Sequence, residues 1–544
     1  MATPKKTTKS PLSQMTLSPE TYIDISNLSD AILHRISTHL VETSNHIPST
    51  IAPLCLVNKR WNTLFTPTLY NTFTYTGEVT AVRKLWRFLR TIHRRPDLAS
   101  LVYTLTLTTT HLVEPILAQA LRPEWQRFFS MLRALARENH RWIIDALAQA
   151  GIADMHPDLL LAWNPPLFGH KTLLDIVPWT KYTHLLTALV IALCPNVNSL
   201  DVHVHPEDRF IHCIVNRAVT LRIMLQMQMQ GIDINIDEGA ELDIADDTDD
   251  DDDEKDDNVP TTCTPDSRST INELPLQNLQ TLTLGPAFSP ALKSPGIFVL
   301  GDQYPFHLLP KLKKLTVQSP GANIQLTPGY LDGNVRIPIE TLTLSNLRVK
   351  NLLWGLTRLA GLPSENLTSN LRHITMTLPH IAPQNLNSRI YSPIWAVLHH
   401  LRHQLESLDI QQTVDDRRVN LGLDCWYHNR NMCISLAEFP KLTKLNISLW
   451  ILVALKCQHW HPYRLVSHPP PNVKELGLYA HPRLNDVMWE ESMMRFNLHY
   501  ELENTVLWAS STKRQVKAVF LEEDGPVEIM DAMARMVGVG EAFE

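Results

Sequence analysis

The stretches Leu279-Gln280-Thr281-Leu282-Thr283-Leu284 and Leu312-Lys313-Lys314-Leu315-Thr316-Val317 share one pattern, an apolar residue at i, i+3 and i+5. The same phrase returns at Ile339/Leu342/Leu344, Leu371/Ile374/Met376, Leu405/Leu408/Ile410, Leu442/Leu445/Ile447 and Val473/Leu476/Leu478. Two earlier copies are Val102/Leu105/Leu107 and Val197/Leu200/Val202. From Leu282 to Leu476 the central residues advance in steps of 33, 27, 32, 34, 37 and 31, with Pro275, Pro310, Pro338, Pro440 and Pro471 leading in. The i+3 to i+5 segment alternates inward and outward, which suits a short strand with its leucines on one face. Between strands, Leu347 to Leu362 and Pro393 to Leu405 carry apolar residues at helical spacing. One strand and one helix cannot bury both faces alone, so such units must stack, and the expectation is an α/β solenoid with parallel strands.

Working outward to the N-terminus, the pattern changes. Asn27 or Ser29 stands where a helix cap belongs, before Ile32, Leu33, Ile36 and Leu40 at steps of three and four. A polar loop around Asn45 to Ser49 follows. The run Leu54-Cys55-Leu56-Val57-Asn58-Lys59-Arg60-Trp61 then predicts a second helix with Leu54, Val57, Trp61 and Leu64 on one face, closed by Pro67. Two or three short helices in about 45 residues are too small to be stable alone, so a partner or the rest of the chain must complete them.

Residues 21 to 76 resemble the F-box, the helical module by which F-box proteins hold the adaptor subunit of cullin–RING ubiquitin ligases. Leu28-Ser29 stands where the family usually has Leu-Pro. The resemblance implies that Leu28, Ile32, Leu33, Ile36, Leu40, Leu54, Leu56, Val57, Trp61 and Leu64 form the adaptor-binding face. The repeating region looks like an irregular leucine-rich-repeat array of the kind found in many F-box proteins, notably fungal ones. Its units are longer than the common repeat. No copy has Asn or Cys three residues after the second strand leucine; Ala287, Pro320 and Leu347 are among the residues found there.

The resemblance thus implies a substrate receptor of an SCF-type ligase. It would dock the adaptor, and the cullin through it, and hold a protein substrate that the sequence does not identify. No catalytic residue and no cofactor is implied. The alternative is an interaction scaffold outside any ligase, whose N-terminal helices only cap the solenoid. The organisation expected is a disordered tail over 1–20, the F-box over 21–76 and a helical linker with the first repeat-like units over 77–232. An acidic disordered insertion over 233–270 and the repeat-like solenoid with its C-terminal cap over 271–544 complete it.

Composition narrows the classes. The seven cysteines are scattered without a C-x-x-C pair, which fits a reducing compartment. The first 18 residues lack a signal-peptide core, and Leu185 to Cys194 is about half the length needed to span a bilayer. The expectation is an intracellular protein, cytoplasmic or nuclear, away from membranes. Net charge is −7, yet residues 237 to 257 hold 14 acids and one Lys, so the remainder is about +6. That run lacks the glycine-punctuated ligand order of a calcium loop and reads as a solvated insertion.

The 18 glycines form no phosphate-cradling loop, and neither a nucleophile elbow nor H-E-x-x-H occurs. His399/His400/His403, His203/His205 and Cys457/His459/His461 lack the paired spacing of a zinc finger. Arg83, Lys84, Arg87, Arg90, Arg94 and Arg95 are interleaved with Leu85, Trp86, Leu89 and Ile92. They read as the solvated face of a helix, not as a nucleic-acid surface.

Overall fold

The computed structural model describes residues 28–43, 47–76, 82–108, 140–150, 177–204, 209–229, 275–286, 298–301, 306, 309–318, 322–325, 336–345, 368–378, 397–412, 436–448, 470–479, 517–522 and 525–528. The chain divides into two compact units, Met1–Asn71 and Thr72–Glu544.

The first unit holds three helices, α1 (Asp30–Thr43), α2 (Ile47–Cys55) and α3 (Lys59–Tyr70). Ser29 starts α1: its carbonyl accepts from the Ile32 and Leu33 N–H groups at 3.0 Å, and its hydroxyl accepts from Ile32 at 3.4 Å. The single second helix expected through Leu54 and Leu64 is corrected to two. Asn58, in extended conformation, caps α3 by accepting the Trp61 N–H at 2.8 Å, so the chain breaks at Leu56, Val57 and Asn58. Nor does Pro67 close the helix, because α3 runs on to Tyr70. The carbonyl that Pro67 cannot serve belongs to Thr63, which is exposed, so water can take that place.

The second unit carries, in chain order, β1 (Thr72–Tyr75), α4 (Val82–Arg94), α5 (Pro96–Ala99), β2 (Thr104–Leu107), α6 (His140–Ala150), α7 (Val177–Leu193), β3 (Ser199–Val204) and α8 (Arg209–Met229). There follow β4 (Thr281–Pro286), β5 (Phe298–Gly301), β6 (Lys314–Gln318), β7 (Ala322–Gln325), β8 (Arg336–Ile337), β9 (Thr341–Ser345) and β10 (Thr368–Ser369). The last are β11 (His373–Leu378), β12 (Ser407–Gln412), β13 (Lys444–Ser448), β14 (Glu475–Tyr479), β15 (Lys517–Glu522) and β16 (Gly525–Glu528).

Twelve of these strands form one sheet in the order β1-β2-β3-β4-β6-β9-β11-β12-β13-β14-β15-β16. Every neighbour pairing is parallel until β15 meets β16, which turns back antiparallel. The nine copies of the apolar phrase are β2, β3, β4, β6, β9, β11, β12, β13 and β14. Their central residues lie in one register row: Leu105, Leu200, Leu282, Leu315, Leu342, Ile374, Leu408, Leu445 and Leu476. All nine are at most 1% exposed, and the leading and closing residues of each phrase are buried with them. This row is the spine of the core, and each leucine buried in it contributes about 2 kcal/mol.

The backbone is satisfied by a device repeated along the sheet. The carbonyl of the residue after each leading apolar position accepts two N–H groups from the next unit. Gln280 accepts from Lys313 and Lys314 at 2.9 Å each, Lys313 from Glu340 and Thr341, Glu340 from Arg372 and His373, and Arg372 from Glu406 and Ser407. Asparagines also serve, but one residue before the leading position. The Asn196 amide donates to the Ser100 carbonyl at 2.8 Å, Asn278 to the Pro195 carbonyl at 3.3 Å, and Asn472 to the Pro440 carbonyl. Asparagine thus does its work before the strand, not after it.

Further differences mark the ends. Thr72 to Tyr75, grouped in sequence with the helical block, is the first strand of the sheet; Tyr70, Phe73 and Tyr75 repeat the i, i+3, i+5 phrase with aromatic residues. At the other end the sequence reads as a strand from Val516 through Phe520 and then a capping helix over Val527 to Val537, but Val527 lies in strand β16. Apolar spacing in the sequence also reads Phe210 to Gln230 as a helix, which is α8, and Trp125 to Ala150 as another, of which α6 is the described part. The acidic run 237–257 and the helix expected over 347–362 lie outside the described residues, and the helix expected over 393–405 is described only from Val397.

A candidate docking surface on the helical unit

The three N-terminal helices close on a small core of Leu33, Ile51, Cys55, Trp61 and Phe65, with Leu28, Leu40, Val41, Leu54, Leu64 and Leu69 partly buried against it. The Trp61 and Phe65 rings meet edge to face at 5.5 Å and 79°. Arg60 joins the start of α3 to the start of α1: Nε and Nη2 donate to Asp30 Oδ1 at 2.9 and 2.6 Å, and Nη2 also donates to the Leu28 carbonyl at 2.6 Å. At the break, the Leu56 and Val57 N–H groups return to the Pro53 and Leu54 carbonyls, and the Asn62 amide serves the Cys55 carbonyl at 3.0 Å.

This packing leaves apolar side chains outside. Ile32 is 47% exposed, Ile36 40%, Leu56 84% and Val57 57%. Among the described residues only one other large apolar side chain, Tyr103, is comparably open, so the exposure is concentrated on this unit. Ile32 and Ile36 are one turn apart on α1, while Leu56 and Val57 protrude because the chain breaks there. The clamp from Arg60 to Asp30 brings the first turn of α1 beside the start of α3, next to that break. A clustered apolar surface is what protein docking uses, whereas isolated exposed leucines need no explanation.

The ten residues expected on one binding face therefore separate. Ile32, Ile36, Leu56 and Val57 are open to a partner. Leu33 (0%) and Trp61 (8%) are interior, so they hold the face in shape without being available to touch anything. Leu28, Leu40, Leu54 and Leu64 are half-buried supports. Spacing alone could not make this division, because it assumed a continuous second helix. Asn58, the residue that breaks it, was the available signal.

Other candidates also find places. On α4, Leu85, Trp86, Leu89 and Ile92 are buried while Arg83, Lys84, Arg87, Arg90 and Arg94 are exposed, the solvated-face arrangement. His399 Nε2 lies 3.0 Å from Glu438 Oε2, and Arg402 donates to the His399 carbonyl at 2.8 Å. Among the described residues no group of three or more His, Cys, Asp or Glu stands ready to hold a metal ion. Cys457, His459 and His461 lie outside them. Burial pushes the Cys55 thiol up, against a hydrogen bond with Thr66, and Cys194 is also raised by burial. Both are poor thiolates. No described helix is long and apolar enough to cross a membrane.

No protein-family model, no curated protein and no solved structure matches this chain.

Proposed function

We propose that this chain is the substrate-receptor subunit of a cullin–RING ubiquitin ligase. Its three N-terminal helices act as an F-box that docks the adaptor subunit, and its parallel sheet is a leucine-rich-repeat-like array that holds a protein substrate. The observation that carries the reading is the apolar surface of Ile32, Ile36, Leu56 and Val57 on a unit with a closed core of its own. A helical unit that served only to cap the array would have no use for four large apolar side chains turned to water. In this reading the chain supplies no acid, base or nucleophile. It tethers a substrate near the conjugating enzyme and so raises the effective concentration of substrate lysines there.

The test is capture of the purified adaptor by the full chain, compared with a Leu56→Asp/Val57→Asp variant. Both positions are open enough to take a charge without entering the core. Capture by the wild type and at least a tenfold loss in the variant, with unchanged thermal unfolding, supports the reading. No capture by the wild type removes it.

A further inference from the structure

On the side of the sheet opposite the leucine spine, one register row runs Thr74, Thr106, Asp201, Thr283, Thr316, Thr343, Thr375, Asp409 and Asn446. Two carboxylates stand in it, and four threonines fill the interval between them. No described cation pairs with either acid. Asp409 Oδ1 accepts the Tyr479 hydroxyl at 2.8 Å and Oδ2 accepts the Asn446 amide at 2.9 Å; both donors are neutral, so they hold the carboxylate in place and leave its charge unneutralised. Asp201 is half-buried with no hydrogen-bonding partner among the described residues, and burial raises its pKa. Nor do the hydroxyls of Thr283, Thr316, Thr343 and Thr375 bond to described residues. The nearest row toward the strand starts does hold cations, but Lys444 is engaged with Glu475 at 3.1 Å, and Lys314 stands on β6, opposite the threonine interval.

A half-buried carboxylate without a counter-charge is costly, and an incoming cation relieves that cost. Five strand steps at about 4.8 Å put Asp201 and Asp409 roughly 24 Å apart, a distance that an extended peptide covers in about seven residues. We propose that this face binds an extended basic segment of a partner protein laid across the strands. Two Lys or Arg side chains about six or eight positions apart, an even spacing that puts both on one side of the extended chain, meet Asp201 and Asp409, and the peptide backbone meets the half-buried Thr283, Thr343 and Thr375 between them, while Thr316 is buried. This deepens the receptor reading by naming the chemical class of the substrate segment, and it rests on that reading for its biological meaning.

The experiment titrates the full chain into a fluorescein-labelled Ser/Gly peptide carrying two lysines about eight positions apart, followed by anisotropy. Comparison peptides place the lysines side by side or replace them with glutamates. Asp201→Asn and Asp409→Asn, singly and together, remove charge with little change of shape, and Asp201→Asn breaks no hydrogen bond among the described residues. The spaced peptide is expected to bind best, to weaken with salt, and to lose about tenfold or more in the double variant at unchanged thermal stability. Equal binding of spaced and adjacent lysines overturns the proposal, because the attraction then comes from charge elsewhere, such as the acidic run 237–257. Wild-type affinity in the folded Asp201→Asn and double variants overturns it as well, as does binding of the glutamate peptide. Adaptor capture measured on the same samples separates the two readings: peptide binding that fails while capture persists removes only the substrate class.

Discussion

Leu56 and Trp61 stand five positions apart in one motif and do different work. Leu56 is 84% exposed and Trp61 8%, so a charge at Leu56 alters only a surface, while truncating Trp61 opens a core of five buried residues. Leu33→Ala and Trp61→Ala are each expected to destabilise the helical unit by about 3–4 kcal/mol, read by urea denaturation. Leu56→Asp should leave the midpoint unchanged within about 0.5 kcal/mol. Equal destabilisation by all three would contradict the division of the face. Gly285 makes a sharper case in the sheet. A Cβ built there would lie 2.1 Å from His203 Cδ2, since the imidazole of β3 packs over the glycine backbone of β4. Gly285→Ala should therefore cost about 1–3 kcal/mol, and a companion His203→Ala substitution should recover part of it in a double-mutant cycle.

The strand is the element the sequence reports best. Leucines at i+3 and i+5 identify an alternating segment wherever it occurs, because the buried face leaves no room for polar residues. All nine phrases read from sequence lie in one sheet, and their register follows from the leucine rows. Legibility stops where another residue type does the same work. In β1 the positions belong to Phe73 and Tyr75, and the aromatic pair hid a strand behind a helical motif. The break between α2 and α3 was hidden for a different reason: a capping asparagine competes with apolar spacing and wins by one hydrogen bond. The asparagines that join units were overlooked because they precede the strand. Asn278 shows their worth, donating to Pro195 and Asn196 while accepting from Lys311 Nζ at 2.7 Å. Asn278→Ala is expected to cost about 1–2 kcal/mol, seen as a lower urea midpoint with an unchanged slope. No change in midpoint would mean that water replaces the amide at no cost.

For the whole molecule, burial of phenols sets an alkaline limit to stability. Tyr479 is raised above the ordinary 10.0 by burial first, then by the charge and hydrogen bond of Asp409, and Tyr75 is raised by burial alone. A raised folded-state pKa keeps the proton on in the native protein after the unfolded chain has lost it. The stabilisation is therefore complete below about pH 10 and is lost as pH rises beyond that. Thermal melts across that range should fall steeply in the wild type and less steeply in Tyr479→Phe; parallel slopes would contradict the assignment. In the proposed division of labour, the helices dock an adaptor and the parallel sheet presents a surface to a substrate. Calorimetric titration of the purified cullin–RING adaptor into the full chain, and into its Leu56→Asp/Val57→Asp variant, tests it most directly. The account predicts saturable one-to-one binding by the wild type and at least a tenfold weaker complex with an equally stable variant. No heat of binding with the wild type, or equal affinity for both proteins, would contradict it.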